Sequence, residues 1–198
     1  MLNRSSFKKY LFIFLIFLIA FNQSCHYAPK IIPTSIESFE GYARINIKNS
    51  NILKSKIAFL FFGEYGKINI LTPFGTTKAQ ILIFSDISYL TIPEKKVYWE
   101  GSTEEIMKVF LGFDLDLVEI KALLTGKWGK NLKGWEFFRD TVVPKIINFS
   151  YAEGYGKIKI LKIKFNQPIK SGVFSKFFVK YYQKKTLDEI MEMLENGN

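Results

Sequence analysis

Residues 57–84 decide the fold and read IAFLFFGEYGKINILTPFGTTKAQILIF. Residues 57–62 are apolar without interruption, which is typical of a strand covered on both faces. Glycine and proline at residues 63–66 and 73–75 break the apolar pattern twice, as turns do. Short strands separated by short turns indicate a meandering antiparallel sheet. The stretch therefore predicts three consecutive strands, at Ile57–Phe62, Lys67–Thr72 and Lys78–Phe84.

The sequence on both sides of this stretch adds further strands. Residues 43–48 alternate apolar and polar side chains, which predicts a half-buried strand. Within Lys157–Phe165 the apolar phase changes at Ile160 and Leu161, which indicates a β-bulge or a bend. Residues 126–144 contain three glycines and end in a proline, and predict a long connection. The remaining predicted strands are Ile87–Ile92, Val97–Trp99, Lys145–Tyr151 and Val173–Tyr182.

Three helices are predicted from their capping signals. Ser102 and Glu105 form a capping box for the first, which should end at Gly112. Asp114 or Asp116 begins the second, which should end at Gly126. The third follows the capping pair Thr186 and Glu189 and carries an apolar stripe, so it is an amphipathic C-terminal helix. Together with the strands, these helices predict an α+β fold.

Composition argues against catalysis. The chain has 198 residues, with one Cys and one His, so an internal disulfide, a Cys/His zinc site and most nucleophile–base mechanisms are disfavoured. Residues 126–130 contain Gly and Lys but lack the Gly-Lys-Ser/Thr ending of a phosphate loop. Asp114 and Asp116 are a possible carboxylate pair, although helix caps explain them more simply. We expect a protein that is not an enzyme and has no cofactor, metal or catalytic residue.

The N-terminus resembles a lipoprotein export signal. A basic start precedes an apolar run of 11 residues, Leu11–Phe21, about half of the ~20 residues that span a bilayer. Ser24 precedes Cys25, the position at which a bacterial lipoprotein is cleaved and lipidated. The alternative is an ordinary secreted protein with an unrelated cysteine. The predicted organisation is a signal peptide at 1–24, a lipidated tether at 25–38 and a folded domain at 39–198.

The charge is basic and unevenly distributed. The chain carries 28 Lys plus Arg against 18 Asp plus Glu, and residues 145–185 contain ten Lys but one acid, Glu153. Only three basic residues are Arg, which disfavours sequence-specific nucleic-acid binding. A basic strand can instead contact anionic lipid, although AT-rich codon usage would also enrich lysine. The candidate contacts to anionic lipid are Lys157, Lys159, Lys162 and Lys164.

Several short motifs follow one another along the chain, namely Gly41–Ile45, Leu71–Thr76, Gly112–Leu117, Ile120 and Leu123–Gly126. Their order and spacing resemble those of the LolB-like outer-membrane lipoprotein family. The departures from that pattern are Asp116 in place of proline and Leu123 in place of tryptophan. The C-terminal third matches poorly, so the resemblance covers roughly Phe39 to Trp128.

This resemblance implies a curved antiparallel half-barrel that helices close around an apolar cavity. Family members accept lipoproteins from the periplasmic carrier LolA and insert their acyl chains into the outer membrane. An apolar residue on a loop assists insertion, and the matching loop is Pro73, Phe74 and Gly75. His26, rather than Asp, follows Cys25, which favours the outer membrane, facing the periplasm. The cavity-lining candidates are Ile45, Ile47, Phe59, Phe61, Ile68, Ile70, Ile81 and Ile83.

Two functions remain open at the level of sequence. The first is a monomeric, lipid-anchored acceptor that binds acyl chains or other lipid and has a LolA-like carrier as its partner. The second is a structural or assembly lipoprotein with a filled core that contacts a protein partner or lipid headgroups. For Phe74 the alternatives are a probe that enters the membrane and a staple that folds back onto its own hairpin.

Overall fold

The computed structural model describes residues 35–48, 53–85, 87–112, 114–126, 131–132, 135–139, 146–151, 154–170 and 172–195. These residues belong to one compact unit, Ile32–Asn198. The predicted signal peptide, Cys25 and most of the predicted tether lie outside the described residues.

The described strands form a single open sheet of eleven strands. Their order across the sheet is β11-β6-β5-β4-β3-β2-β1-β10-β9-β8-β7. All neighbouring pairs are antiparallel except β11 and β6, which are parallel. The strands are β1 Ser38–Lys48, β2 Leu53–Phe62, β3 Tyr65–Leu71, β4 Thr77–Ile83, β5 Ser88–Ile92, β6 Val97–Gly101, β7 Asn131–Leu132, β8 Trp135–Arg139, β9 Ile146–Tyr151, β10 Gly154–Phe165 and β11 Gln183–Lys184.

Three α-helices pack on the inner face of the sheet: α1 Thr103–Leu111, α2 Leu117–Thr125 and α3 Leu187–Glu195. The inner face is defined by strand alternation, because Phe39, Ala43 and Ile47 of β1 are buried while Arg44 and Lys48 are exposed. Inner-face side chains and the apolar stripes of the three helices form one core cluster. The structure thus confirms the predicted α+β fold, with a mostly antiparallel sheet and helices over one face.

The predicted capping signals begin the helices. Ser102 with Glu105 and Asp116 with Glu119 form complete capping boxes, and Gly112 and Gly126 end α1 and α2 in left-handed conformation. Of the two carboxylates considered for α2, Asp116 is therefore the cap. Before α3, the Glu189 N–H donates to Thr186 Oγ1 at 3.3 Å, and the Thr186 N–H donates to Glu189 Oε2 at 2.8 Å.

The predicted bulge in β10 is present and has a close packing partner on β1. Tyr42 pairs with Lys162 and Ala43 pairs with Ile160, so Leu161 is the extra residue. The insertion returns Ile163 to the buried face on which Ile160 lies, while Leu161 is exposed. Directly opposite, Gly41 has no side chain, and a Cβ there would meet the Lys162 carbonyl oxygen and come within 2.7 Å of the Phe59 ring.

The prediction of a strand at Val173–Tyr182 is wrong. This segment forms a turn and a 3₁₀ helix, Phe177–Lys180, on the outer face of β4–β6. Phe174, Phe178 and Tyr182 recur every four residues, and they pack against Leu82, Phe84, Tyr89 and Tyr98. A run of apolar and aromatic residues is compatible with a strand or with a helical turn. The apolar strip on the outer face of the sheet favours the helical turn, because it contacts side chains that recur every four residues.

Two other sequence predictions are wrong. Residues 126–144 include sheet strands, β7 and β8, rather than only a connection, and β8 pairs with β9. The continuous apolar run of β2 is covered mainly on one face, since Phe62 is 43% exposed. Strand β5 is buried at every residue, because the Val173–Tyr182 segment covers its outer face and the helices cover its inner face.

Candidate functional site: an apolar cavity, an exposed loop and a basic face

An apolar cavity lies between the inner face of the sheet and helices α1 and α2. Its walls present only apolar atoms, and its volume is about 50 Å³. Capping boxes begin the two helices and glycine C-caps end them. The apolar stripes of both helices face the strands. The lining residues are Ile45, Ser55, Ile57, Ile68, Ile70, Ile81, Met107, Phe110, Leu111, Leu115, Ile120, Leu123, Leu124 and Ile158.

The cavity is small for a lipid site. Pockets that bind small molecules are commonly about 300–1,000 Å³, so an acyl chain does not fit the 50 Å³ present here. Four of the eight cavity-lining candidates border this space: Ile45, Ile68, Ile70 and Ile81. The other four fill the surrounding core instead: Ile47, Phe59, Phe61 and Ile83. The sheet and helices are therefore almost closed on each other in this conformation.

A larger hollow opens beside the start of β1 and the loop that follows β10. Its volume is about 780 Å³, and it is open to solvent. Its wall includes four aromatic side chains, Phe62, Tyr65, Phe84 and Phe174, together with polar groups such as Lys170. Sequence analysis did not identify this hollow, because the loop and the strand ends that form it are far apart along the chain.

Phe74 stands on a braced turn between β3 and β4. The Thr72 N–H donates to the Thr76 carbonyl at 2.8 Å, and the Gly75 N–H donates to the Thr72 carbonyl at 2.9 Å. Gly75 has φ +86°, a left-handed conformation that suits glycine. The Phe74 side chain is 95% exposed, so its ring does not pack back onto the hairpin. The turn holds a large apolar side chain in solvent.

The four lysines singled out in the sequence lie on the outer face of β10, opposite the cavity. The outer faces of the neighbouring strands β1 and β2 are also positively charged. We call this surface the basic face, and it comprises Arg44, Lys48, Lys54, Lys56, Lys157, Lys159, Lys162 and Lys164. Among the described residues on the outer faces of β1, β2 and β10 there is one acid, Glu40, whose carboxylate lies 3.8 Å from Lys164 Nζ. Four of the eight cations were missed in the sequence because they lie outside the lysine-rich segment.

The basic face also carries aromatic rings and ends near Phe74. Lys56 Nζ lies 5.3 Å from the centre of the Tyr42 ring, and Lys48 Nζ lies 5.7 Å from that of Tyr155. Lys56 pairs with Leu71 across β2 and β3, and Phe74 follows Leu71 by three residues. The exposed phenylalanine therefore projects from the end of the sheet at which Lys48 and Lys54 lie. Cations beside exposed aromatic groups are typical of surfaces that meet anionic membranes.

Within the part of the chain that the structure describes, no group of three or more His, Cys, Asp or Glu side chains is placed to hold a metal ion. In the same part of the chain, no helix combines the length and apolar character needed to cross a bilayer.

Comparison with known proteins finds similarity of structure only. No protein-family model matches the chain, and no curated protein matches it. A LolA superfamily protein from Nitrosomonas europaea aligns with a TM-score of 0.47 and 10% identity, over 73% of this chain and 93% of that one. A DUF1329 family protein from Desulfovibrio piger aligns with a TM-score of 0.46 and 12% identity, over 72% and 91%. The likeness concerns the arrangement of sheet and helices, and residue roles do not transfer at this identity.

Proposed function

We propose that the protein is a non-enzymatic lipoprotein, anchored through Cys25 in the outer membrane, that binds acyl chains and accepts or inserts lipoproteins there. It would face the periplasm, act as a monomer and receive its cargo from a LolA-like carrier. Support comes from the motif resemblance to LolB-like proteins, the apolar space between sheet and helices, and the exposed loop at Phe74.

The observation that carries this proposal is the exposure of Phe74. A ring that is 95% exposed gains nothing from water, and backbone hydrogen bonds hold the turn that carries it. Burial of such a ring in a bilayer is favourable by about 2–3 kcal/mol. The basic face near the turn would add attraction to anionic headgroups, which exposed lysines supply at about 1 kcal/mol each close to the surface.

Acyl-chain binding requires the cavity to open. Helices α1 and α2 meet the strands through apolar side chains around the cavity, so a chain that enters replaces one apolar contact with another. Each methylene transferred from water contributes about 0.8 kcal/mol, which can offset the cost of separating the helices from the sheet. The capping boxes at Ser102 and Asp116 join residues of the same helix start, so these hydrogen bonds do not depend on contact with the sheet.

Native mass spectrometry of the full-length protein, purified in mild detergent, tests acyl-chain binding. We expect bound fatty acyl species in the wild type. Ser55 lines the cavity, so Ser55→Leu should fill it and reduce the bound fraction, while the matched surface change Ser175→Leu should not. Loss of lipid with Ser175→Leu alone would assign the chain to the larger hollow of about 780 Å³, which Ser175 lines, and would contradict the cavity as its site.

A second candidate function has its own support. The volume of about 50 Å³ agrees with a structural or assembly lipoprotein whose core is filled. In that case the purified protein carries no lipid, and Ser55→Leu changes stability without changing any ligand. The mass-spectrometric measurement therefore separates the two functions directly.

A further inference from the structure

A separate pocket lies on the outer face of the sheet, where β10, β1, β2 and β3 meet the loop residue Val173. Its volume is about 360 Å³, within the range of ligand sites. We call it the outer pocket. Its polar lining is supplied by Glu40, Tyr42, Lys67, Asn69, Lys162 and Lys164.

The outer pocket has an excess of positive charge. It contains three ammonium groups and one carboxylate, Glu40, which lies 3.8 Å from Lys164 Nζ. Lys67 is half-buried, and this burial lowers the pKa of its amine. Lys67 Nζ donates to the Val173 carbonyl at 3.5 Å, a long contact for a group that carries three donors. A bound anion would supply a closer acceptor for this ammonium.

A second observation points to a ligand. Asn69 lies two residues from Lys67 on the same face of β3, and its Oδ1 atom is buried. It is the one buried side-chain oxygen or nitrogen of the described residues that has no hydrogen-bond partner. Leaving a buried acceptor unpaired costs about 1–3 kcal/mol, so a donor at this position would be favourable. A ligand that offers anionic acceptors to the ammonium groups and one hydroxyl donor to Asn69 would match the hydrogen-bonding groups of the pocket.

We infer that the outer pocket binds a phosphate group that carries a hydroxylated substituent, such as a phosphoglycerol unit. The phosphate oxygens accept from Lys67, Lys162 and Lys164, and a hydroxyl donates to Asn69 Oδ1 once the amide turns toward the pocket, because that atom is buried in the structure. Several oxygens on one phosphorus match several separate ammonium groups better than a single carboxylate does. The pocket lies on the face of the sheet opposite the apolar cavity, so this inference is independent of acyl-chain binding.

Isothermal titration of the full-length protein with glycerol 3-phosphate tests the inference. We expect Lys67→Met to weaken binding at least about tenfold, the effect of losing one charged hydrogen bond. Lys54→Met removes the same charge from the basic face outside the pocket, and should change the affinity by no more than about twofold. The melting temperatures of both variants verify that they fold. Lys67→Met should not lower the melting temperature, because burying half of an ammonium group is itself unfavourable.

Two results would overturn the inference: no binding of glycerol 3-phosphate by the wild type, or equal losses in Lys67→Met and Lys54→Met, which would indicate diffuse charge attraction. The source of the phosphate is decided with phosphatidylglycerol vesicles. Displacement of vesicles by glycerol 3-phosphate assigns the pocket to a lipid headgroup. Saturable binding of glycerol 3-phosphate that leaves vesicle binding unchanged assigns it to a soluble phosphate ester, and either result supports the pocket.

Discussion

Arg44 on β1 lies directly opposite Lys159 on β10, so two positive charges face each other across adjacent strands. Like charges in this position destabilise a sheet. Lys56 flanks Arg44 from the other side, which places three cations in a row across the basic face. A surface that carries such repulsion is better suited to meeting an anionic partner than to remaining bare.

The first prediction follows from this pair. Lys159→Glu should stabilise the fold by about 0.2–1 kcal/mol, because it replaces a like-charge pair with an opposite-charge pair. The same change should weaken binding to vesicles that contain anionic lipid. Further reversal at Lys157 and Lys162 should weaken it more. Urea unfolding and vesicle co-sedimentation measure the two effects.

A control separates location from net charge. Lys108→Glu changes the charge equally but lies on helix α1, on the other side of the sheet, and should leave vesicle binding nearly unchanged. Binding by the wild type should also fall steeply with salt, because exposed charges are screened beyond ~10 Å at 0.1 M. Unaltered binding after all three reversals would attribute the lysine content to codon usage alone.

The second prediction concerns Phe74. Phe74→Glu should leave the melting temperature almost unchanged, since the ring is 95% exposed and the turn is held by backbone hydrogen bonds. It should abolish insertion into liposomes and delivery of acyl chains, because a carboxylate does not enter a bilayer. Differential scanning fluorimetry and a liposome flotation assay measure the two quantities.

Val118 provides the matched control for Phe74. It is 72% exposed on helix α2, so Val118→Glu introduces the same charge at another exposed apolar position. We expect this variant to retain liposome insertion. Equal loss in both variants would show that negative charge alone is responsible, and would remove the special role of the Phe74 loop.

The third prediction concerns pH and the start of helix α3. The Thr186 backbone N–H, the Lys185 ammonium and the Thr186 hydroxyl lower the pKa of Glu189 from its usual 4.5 to about 2. Because the folded pKa is depressed, the stabilisation is present above pH 4.5 and is lost as the pH falls toward 2. Glu189→Gln should therefore lower the free energy of unfolding more at pH 6 than at pH 3. Urea titrations at both values measure this, and a pH-independent difference would contradict the assignment.

The fourth prediction concerns the anchor, which lies outside the described residues. Cys25→Ser should give a soluble or unprocessed protein that takes up no labelled fatty acid, because the predicted modification needs the thiol. Metabolic labelling followed by membrane fractionation measures both properties. If the wild type incorporates no label, the protein is not a lipoprotein and the secreted alternative holds.

Local sequence signals predicted the helix starts and the bulge correctly. The capping pairs at Ser102, Asp116 and Thr186 act within one turn of chain, so their partners are fixed by sequence distance. The bulge at Leu161 was visible because a strand that changes its apolar phase must insert a residue or bend. By contrast, Val173–Tyr182 has strand composition, and only its contact with the outer face of β4–β6 makes it a 3₁₀ helix and turn.

The sequence by itself determined the order of most strands and helices, the alternation that separates inner from outer face, and the place of Phe74 in a turn, since proline and glycine flank it. Only the tertiary structure decided that the Phe74 ring is exposed rather than folded onto its hairpin. It also decided the volume of the cavity, because the helices approach the strands through side chains that are distant along the chain. The basic face, too, was decided only by the tertiary structure. Arg44, Lys56 and Lys159 become neighbours through strand pairing, and register between distant strands is set by packing rather than by local sequence.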